Sequence, residues 1–160
     1  MTTIALDREL TISDLPEQVA AWPRYELIDG SLTVSPSPGL RHQAIVAAIY
    51  DALRASVPGD ARVLPGANVM PHEKTLVIPD VLVVRRARVA RGGLGVEPQE
   101  VLLAVEVESD STRRRDRTLK RTLYEEWSVP YLLVNPATET TERFGDVPDW
   151  PVDLRAIFDD

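Results

Sequence analysis

Leu102-Leu-Ala-Val-Glu-Val-Glu-Ser109 is the stretch on which the fold turns. Its apolar residues fall on both faces of an extended segment, which predicts a central strand, over residues 102–108, in a sheet covered on both sides. Successive side chains of a strand alternate, so Glu106 and Glu108 share one face near the C-terminal end while Val105 and Val107 share the other. Open sheets with covering helices place their ligands at that end of the strands. A second stretch, Ile78-Pro-Asp-Val-Leu-Val-Val84, sets Asp80 at the head of another apolar run. A carboxylate inside a core strand is costly unless its charge is compensated. The compensators within reach are a bound cation and Lys120, and two acids on neighbouring core strands beside a lysine describe a Mg²⁺ site for phosphodiester hydrolysis.

On the C-terminal side, residues 113–127 have helical periodicity. Leu119, Leu123 and Trp127 define a buried stripe, Arg114, Arg117 and Arg121 lie opposite, and Asp116 and Lys120 fall inside the stripe, where charged groups need partners. Because this helix follows directly on the strand bearing Glu106, Lys120 is expected near the end of the sheet from which Asp80 and Glu106 project. Strands at 131–134 and 140–144 and a short element at 154–158 complete the chain.

On the N-terminal side, Tyr25-Glu-Leu-Ile-Asp-Gly-Ser-Leu-Thr-Val34 places Asp29-Gly30 between two apolar runs and predicts a β-hairpin. Ser35-Pro-Ser-Pro-Gly39 cannot continue a ladder. Beyond it Leu40, Ala44, Ile45, Ala48, Ile49, Ala52 and Leu53 recur at helical spacing until Pro58-Gly59. Residues 62–70 read as a strand broken at Pro65-Gly66, and 75–84 as the strand that carries Asp80. Ser13-Asp-Leu-Pro-Glu17 marks a short helix over 15–21. Residues 85–100, basic and then glycine-rich, read as a mobile loop.

The chain has 160 residues, 44% of them hydrophobic, enough for one domain with a sizeable core. Residues 1–160 are read as that domain, with 1–12 as a flexible arm. There is no cysteine, which excludes a disulfide framework, a thiolate zinc site and a thiol nucleophile. A cytoplasmic setting is expected, since the N-terminus lacks a basic segment followed by an apolar run and no stretch is long enough to span a bilayer. The net charge of −7 argues against coating nucleic acid through bulk electrostatics, so any such contact must be local.

The order Tyr25-Glu-Leu-Ile-Asp-Gly, a helix bearing His42, Pro79-Asp-Val, Val105-Glu-Val-Glu-Ser, Ser111-Thr112, Asp116, Lys120, Tyr124 and Val129-Pro-Tyr resembles the Uma2 family, restriction-endonuclease-like proteins of the PD-(D/E)XK nuclease superfamily. These motifs run from Tyr25 to Pro136, and the core they imply covers 22–144. The resemblance implies a mixed α/β (α+β) fold: a restriction-endonuclease-like core with a central mixed sheet flanked by helices and an N-terminal β-hairpin. It makes Asp80 the PD aspartate, Glu106 the acid of the second motif and Glu26 an additional acid. Glu108 stands where lysine is expected, and Lys120 matches a lysine relocated to the next helix. On this likeness Asp80, Glu106 and the Val107 carbonyl hold Mg²⁺ or Mn²⁺, Lys120 orients the attacking water, and Glu26 supports the ion. DNA is then the substrate and a homodimer the working form.

Plainer roles stand beside these. Asp80 would cap a turn, Glu106 and Lys120 would form a structural buried ion pair, Glu26 would be an exposed strand residue, and Tyr124 would belong to the core. His42 would cap or pack, or else face substrate. Arg113 and Arg117, like Arg85, Arg86, Arg88 and Arg91, would be solvated or would grip phosphate. An inactive nuclease fold used for binding or assembly is the competing function.

Overall fold

In the computed structural model, residues 2–4, 8–15, 23–35, 37–109 and 115–158 are described. The strands are β1 (Thr2–Ile4), β2 (Arg24–Ile28), β3 (Ser31–Ser35), β4 (Ala61–Pro65), β5 (Val69–His72), β6 (Thr75–Val77), β7 (Val81–Arg85), β8 (Val101–Val107), β9 (Tyr131–Asn135) and β10 (Thr140–Phe144). The helices are α1 (Leu40–Ser56), α2 (Arg86–Ala90) and α3 (Arg115–Glu126). Among these residues no helix is long and apolar enough to cross a membrane.

Two five-stranded sheets result, ordered β1-β3-β2-β6-β5 and β10-β9-β8-β7-β4. β8 is the centre of the second sheet, as its apolar faces predict. It runs antiparallel to β7 and parallel to β9, and α3 makes the crossover that a parallel pair requires. Ile45, Ile49 and Leu53, spaced four residues apart on α1, pack on one face of this sheet against Val83, Leu103, Val105 and Val134. Leu123 and Tyr124 of α3 pack on the other against Leu82, Ala104, Tyr131 and Leu133. At roughly 1.5–3 kcal/mol for each fully buried large apolar side chain, this double cover is the main force holding β8 in place.

The first sheet grows from the predicted hairpin. Asp29 (φ 47°) and Gly30 (φ 77°) both take left-handed conformations, the backbone of a two-residue type I′ turn. β1 adds to one side of the hairpin through β3, and β6 pairs with β2 on the other at Leu27 and Leu76.

Two expectations need correction. Residues 75–84 are two strands in different sheets, because Pro79 has no N–H to give a ladder and the chain crosses over at 78–80. Residues 85–100 are not a loose loop. They hold α2 and a 3₁₀ turn at Pro98–Glu100, and Val96 exchanges backbone hydrogen bonds with the strand edge (Val96 N–H to Asn68 O 2.9 Å, Met70 N–H to Val96 O 2.8 Å). Arg88 ties the segment together, donating to Glu100 at 2.7 Å, to Gly92 O at 2.7 Å and to Gly95 O. The expected hairpin is present, at the heart of the first sheet. The helix expected over 15–21 lies, but for Leu15, outside the described residues, and a 3₁₀ turn occupies Ile12–Asp14.

Candidate metal centre

Val81 pairs with Val105 in the β7–β8 ladder, so one further step in this register sets Asp80 opposite Glu106. Two like charges directly across a strand pair repel. The surrounding side chains answer that repulsion from three directions. Asp80 is 7% exposed. Its Oδ2 accepts the Val107 N–H at 2.9 Å, and its Oδ1 accepts from the Arg24 guanidinium at 3.1 Å. His42, in the first turn of α1, places Nε2 3.4 Å from Asp80 Oδ2 and 3.1 Å from the Val107 carbonyl.

Glu106 is served from α3. Lys120 Nζ lies 3.0 Å from Glu106 Oε1, and the Tyr124 hydroxyl donates to the same oxygen at 2.8 Å. Lys120, 8% exposed, also lies 2.9 Å from Glu26 Oε1. Positions 120 and 124 are one helical turn apart and share a face of α3, which explains why both reach one carboxylate. Glu26 Oε1 in turn accepts the Ile78 N–H at 2.7 Å. That N–H lies at the crossover between the sheets, where no ladder partner takes it, so Glu26 satisfies the backbone at the point where the chain leaves β6 for β7.

The electrostatics follow from burial and these contacts. Burial pushes the Glu106 carboxyl up to about 8; Lys120 opposes the shift, Asp80 and Glu26 add to it, and the Tyr124 hydrogen bond opposes it. Burial acts on Asp80 in the same sense, yet the His42 hydrogen bond and charge, the Val107 N–H and the charge of Lys120 outweigh it, so its carboxyl titrates below the usual range. Burial works to lower His42, but Asp80 and the Val107 carbonyl raise it above the ordinary imidazole value. Burial and then the neighbouring Glu106 charge raise the Tyr124 phenol far above its ordinary value, which keeps it a donor.

Of the residues singled out in the sequence, Asp80, Glu106, Lys120, Glu26, Val107 and His42 therefore come together. Glu26 is buried at 2% exposure, so it is not the exposed strand residue of the plainer reading. Glu108 is also buried. Arg113 lies outside the described residues, and of Asp116 and Arg117 only the backbone, within α3, is described. Two participants were missed. Tyr124 is a core residue whose hydroxyl nevertheless serves the site. Arg24 stands two residues before Glu26 on β2, and strand alternation puts both on one face, a signal that was available.

A family model described as "Putative restriction endonuclease", that of Uma2, matches residues 12–152. The chain belongs to the Uma2 family. A crystal structure titled as that of a putative nuclease belonging to DUF820, from Anabaena variabilis, superposes with a TM-score of 0.70 at 18% identity, covering 89% of this chain and 83% of the other. At that identity the likeness shows a shared fold. No curated protein matches the chain.

Beside Asp80 this Uma2 domain opens into a cleft of about 300 Å³ between α1 and the end of β4. Arg24, His42 and Asp80 line one end of it, and Pro38, Val46, Ala47, Tyr50 and Pro65 much of the remainder. Among the described residues no group of three or more His, Asp or Glu side chains is arranged to hold a metal ion unaided. The oxygen donors that the paired ends of β7 and β8 set side by side are the two carboxylates of Asp80 and Glu106 and the Val107 carbonyl. That set fits Mg²⁺ in hardness and number, because this ion is commonly held by one or two carboxylates while waters and substrate phosphate complete its shell. Both described contacts of Glu106 use Oε1.

Proposed function

We propose that this Uma2 protein is a Mg²⁺- or Mn²⁺-dependent nuclease that hydrolyses phosphodiester bonds of DNA. The observation that carries the reading is the lysine on α3, 3.0 Å from Glu106, whose carboxylate faces Asp80 across two paired strands beside a cleft. A nuclease of this type needs two acids and a cation at one end of a sheet, and three segments distant in sequence supply them here.

Asp80 and Glu106, with the Val107 carbonyl, would hold the ion. When bound it would polarise the phosphate and make a coordinated water more acidic. The remaining tasks belong to the chain. Lys120, fixed by Glu26 and Glu106, orients the attacking water, and Tyr124 steadies Glu106 from the same helix face. Arg24 holds Asp80 from the cleft side and offsets its charge. Cutting both strands of a duplex requires two sites, which a homodimer supplies, and light scattering on the purified chain reads its mass.

The test combines Mn²⁺ titration calorimetry with cleavage of supercoiled plasmid and single-stranded circles. Wild type is expected to bind Mn²⁺ and to cut with Mg²⁺ but not in EDTA. Asp80→Ala should lose both properties, and Lys120→Ala should cut at least about a hundredfold more slowly, the scale on which one charge-stabilising donor acts. Wild type that binds no ion and cuts nothing would overturn the proposal. That outcome would favour a binding module in which Lys120, Glu26, Glu106 and Tyr124 form a self-sufficient structural network, a reading supported by the partners these groups already have.

A further inference from the structure

The cleft beside Asp80 is larger than the hydrolytic roles above require, and its two ends differ in chemistry. One end holds the Arg24 guanidinium and the His42 imidazole beside the Asp80 carboxylate that both contact. His42 Nδ1 is buried and has no hydrogen-bond partner among the described residues. The other end is apolar and aromatic, formed on α1 by Val46, Ala47 and Tyr50, one turn apart or adjacent. A nucleotide has the same division: an anionic phosphate at one end and, at the other, a flat ring with apolar faces and polar edges. A recess of about 300 Å³ lies at the small end of ligand sites, matching one such unit rather than a segment of duplex.

A base inside a double helix cannot enter a recess of this kind without leaving its stack, and unstacking is cheapest where the base is mismatched or already unpaired. Aromatic side chains hold unstacked bases through their faces regardless of sequence. Resting on the nuclease reading, we propose that the cleft receives a single unstacked nucleotide of the bound strand. Arg24 holds its phosphate next to Asp80, and its base lies against Tyr50 along α1. The substrate class is then unpaired or distorted DNA: single strands, flaps and mismatches rather than perfect duplex.

The experiment uses the full chain in EDTA, where no cleavage confuses binding, and a short oligonucleotide with 2-aminopurine at one position, offered single-stranded, mismatched or fully paired. The single strand and the mismatch are expected to bind about tenfold more tightly than the paired form and to change 2-aminopurine fluorescence. Tyr50→Ala should weaken single-strand binding about tenfold. Ala47→Trp, at an exposed position lining the cleft, should do the same by filling it while thermal unfolding stays unchanged. Equal binding of all three forms, undiminished binding by Ala47→Trp, or no binding of any form would overturn the proposal. Separate Mg²⁺ cleavage assays keep the two readings apart. Cleft-dependent binding without cleavage sinks only the nuclease, and cleavage indifferent to Ala47→Trp and to base pairing sinks only the nucleotide cleft.

Discussion

Lys120 is the residue on which the site's charge balance rests, because two buried carboxylates share its ammonium. Lys120→Ala leaves both uncompensated, and removing one partner of a buried pair costs about 3–5 kcal/mol. Urea unfolding of the chelated protein should show a loss of that size, with the double variant Lys120→Ala/Glu106→Gln recovering part of it; an unchanged midpoint would mean that the pair contributes nothing. Glu106 supplies a pH signature. Its carboxyl titrates near about 8 in the folded chain against an ordinary value of 4.5, so between these values the folded state holds a proton that the unfolded state has released. Stability in EDTA should therefore fall as pH rises through that window, and Glu106→Gln should reduce the fall, leaving the share that His42, also raised, contributes above its ordinary value. Asp80 acts with the opposite sign and lower down: its depressed titration stabilises the fold above the ordinary carboxylate range, and that contribution is lost as the medium is acidified through its folded value. Unfolding curves at about pH 5 and about pH 8 separate the two, and a wild-type profile flat across that interval would contradict the Glu106 assignment. Asp80, Glu106 and Lys120 were legible in the sequence because acids and a lysine at core-facing positions break an apolar pattern. Tyr124 was not, since a tyrosine on a buried stripe satisfies the pattern whatever its hydroxyl does.

Among the elements, the hairpin and the central strand follow directly from local chemistry. Gly30 shows how strongly: beyond its left-handed φ of 77°, an added Cβ would meet Glu9 Cβ at 2.7 Å. Gly30→Ala should destabilise the protein by about 1–2 kcal/mol in urea unfolding, from the left-handed penalty and the displaced Glu9 segment together; a loss below a few tenths would show that the turn relaxes freely. β8 and α3 were equally legible, the first through its two apolar faces and the second through its 3.6-residue period. The division of residues 75–84 was not, because the apolar run continues through 78–80 and only the proline marks the change of sheet. What closes that gap lies far away in sequence, in the Glu26 carboxylate that takes up the Ile78 N–H. Residues 85–100 misled for a related reason. Their glycines suggested mobility, whereas Gly95 sits where a Cβ would meet Asn68 O at 2.7 Å, so it marks close packing rather than freedom. The Arg88–Glu100 pair that fixes the segment joins positions too far apart for any local pattern to reveal.

Over the whole molecule, the proposed action on DNA sets a polyanionic substrate against a chain charge of −7. The arginines of the 85–91 segment do not offer a ready surface for phosphate, because Arg85 pairs with Asp60, Arg88 and Arg91 with Glu100, and Arg86 donates to Gly59 O. On the proposed reading DNA is held at few points, among them Arg24, which lines the cleft and is itself paired with Asp80. Each phosphate neutralised contributes about −0.9 to the slope of log affinity against log salt on duplex and about −0.7 on single strands. One to three contacts predict a slope between about −1 and −3, far shallower than the value near −10 of a protein that grips a long duplex through a basic face. Fluorescence anisotropy over a series of salt concentrations, with the ion chelated, measures it. Arg24→Met should flatten the slope by about one unit if its guanidinium holds a phosphate. A slope steeper than about −6 would place the binding surface on a broad basic face instead, away from the cleft and the paired carboxylates.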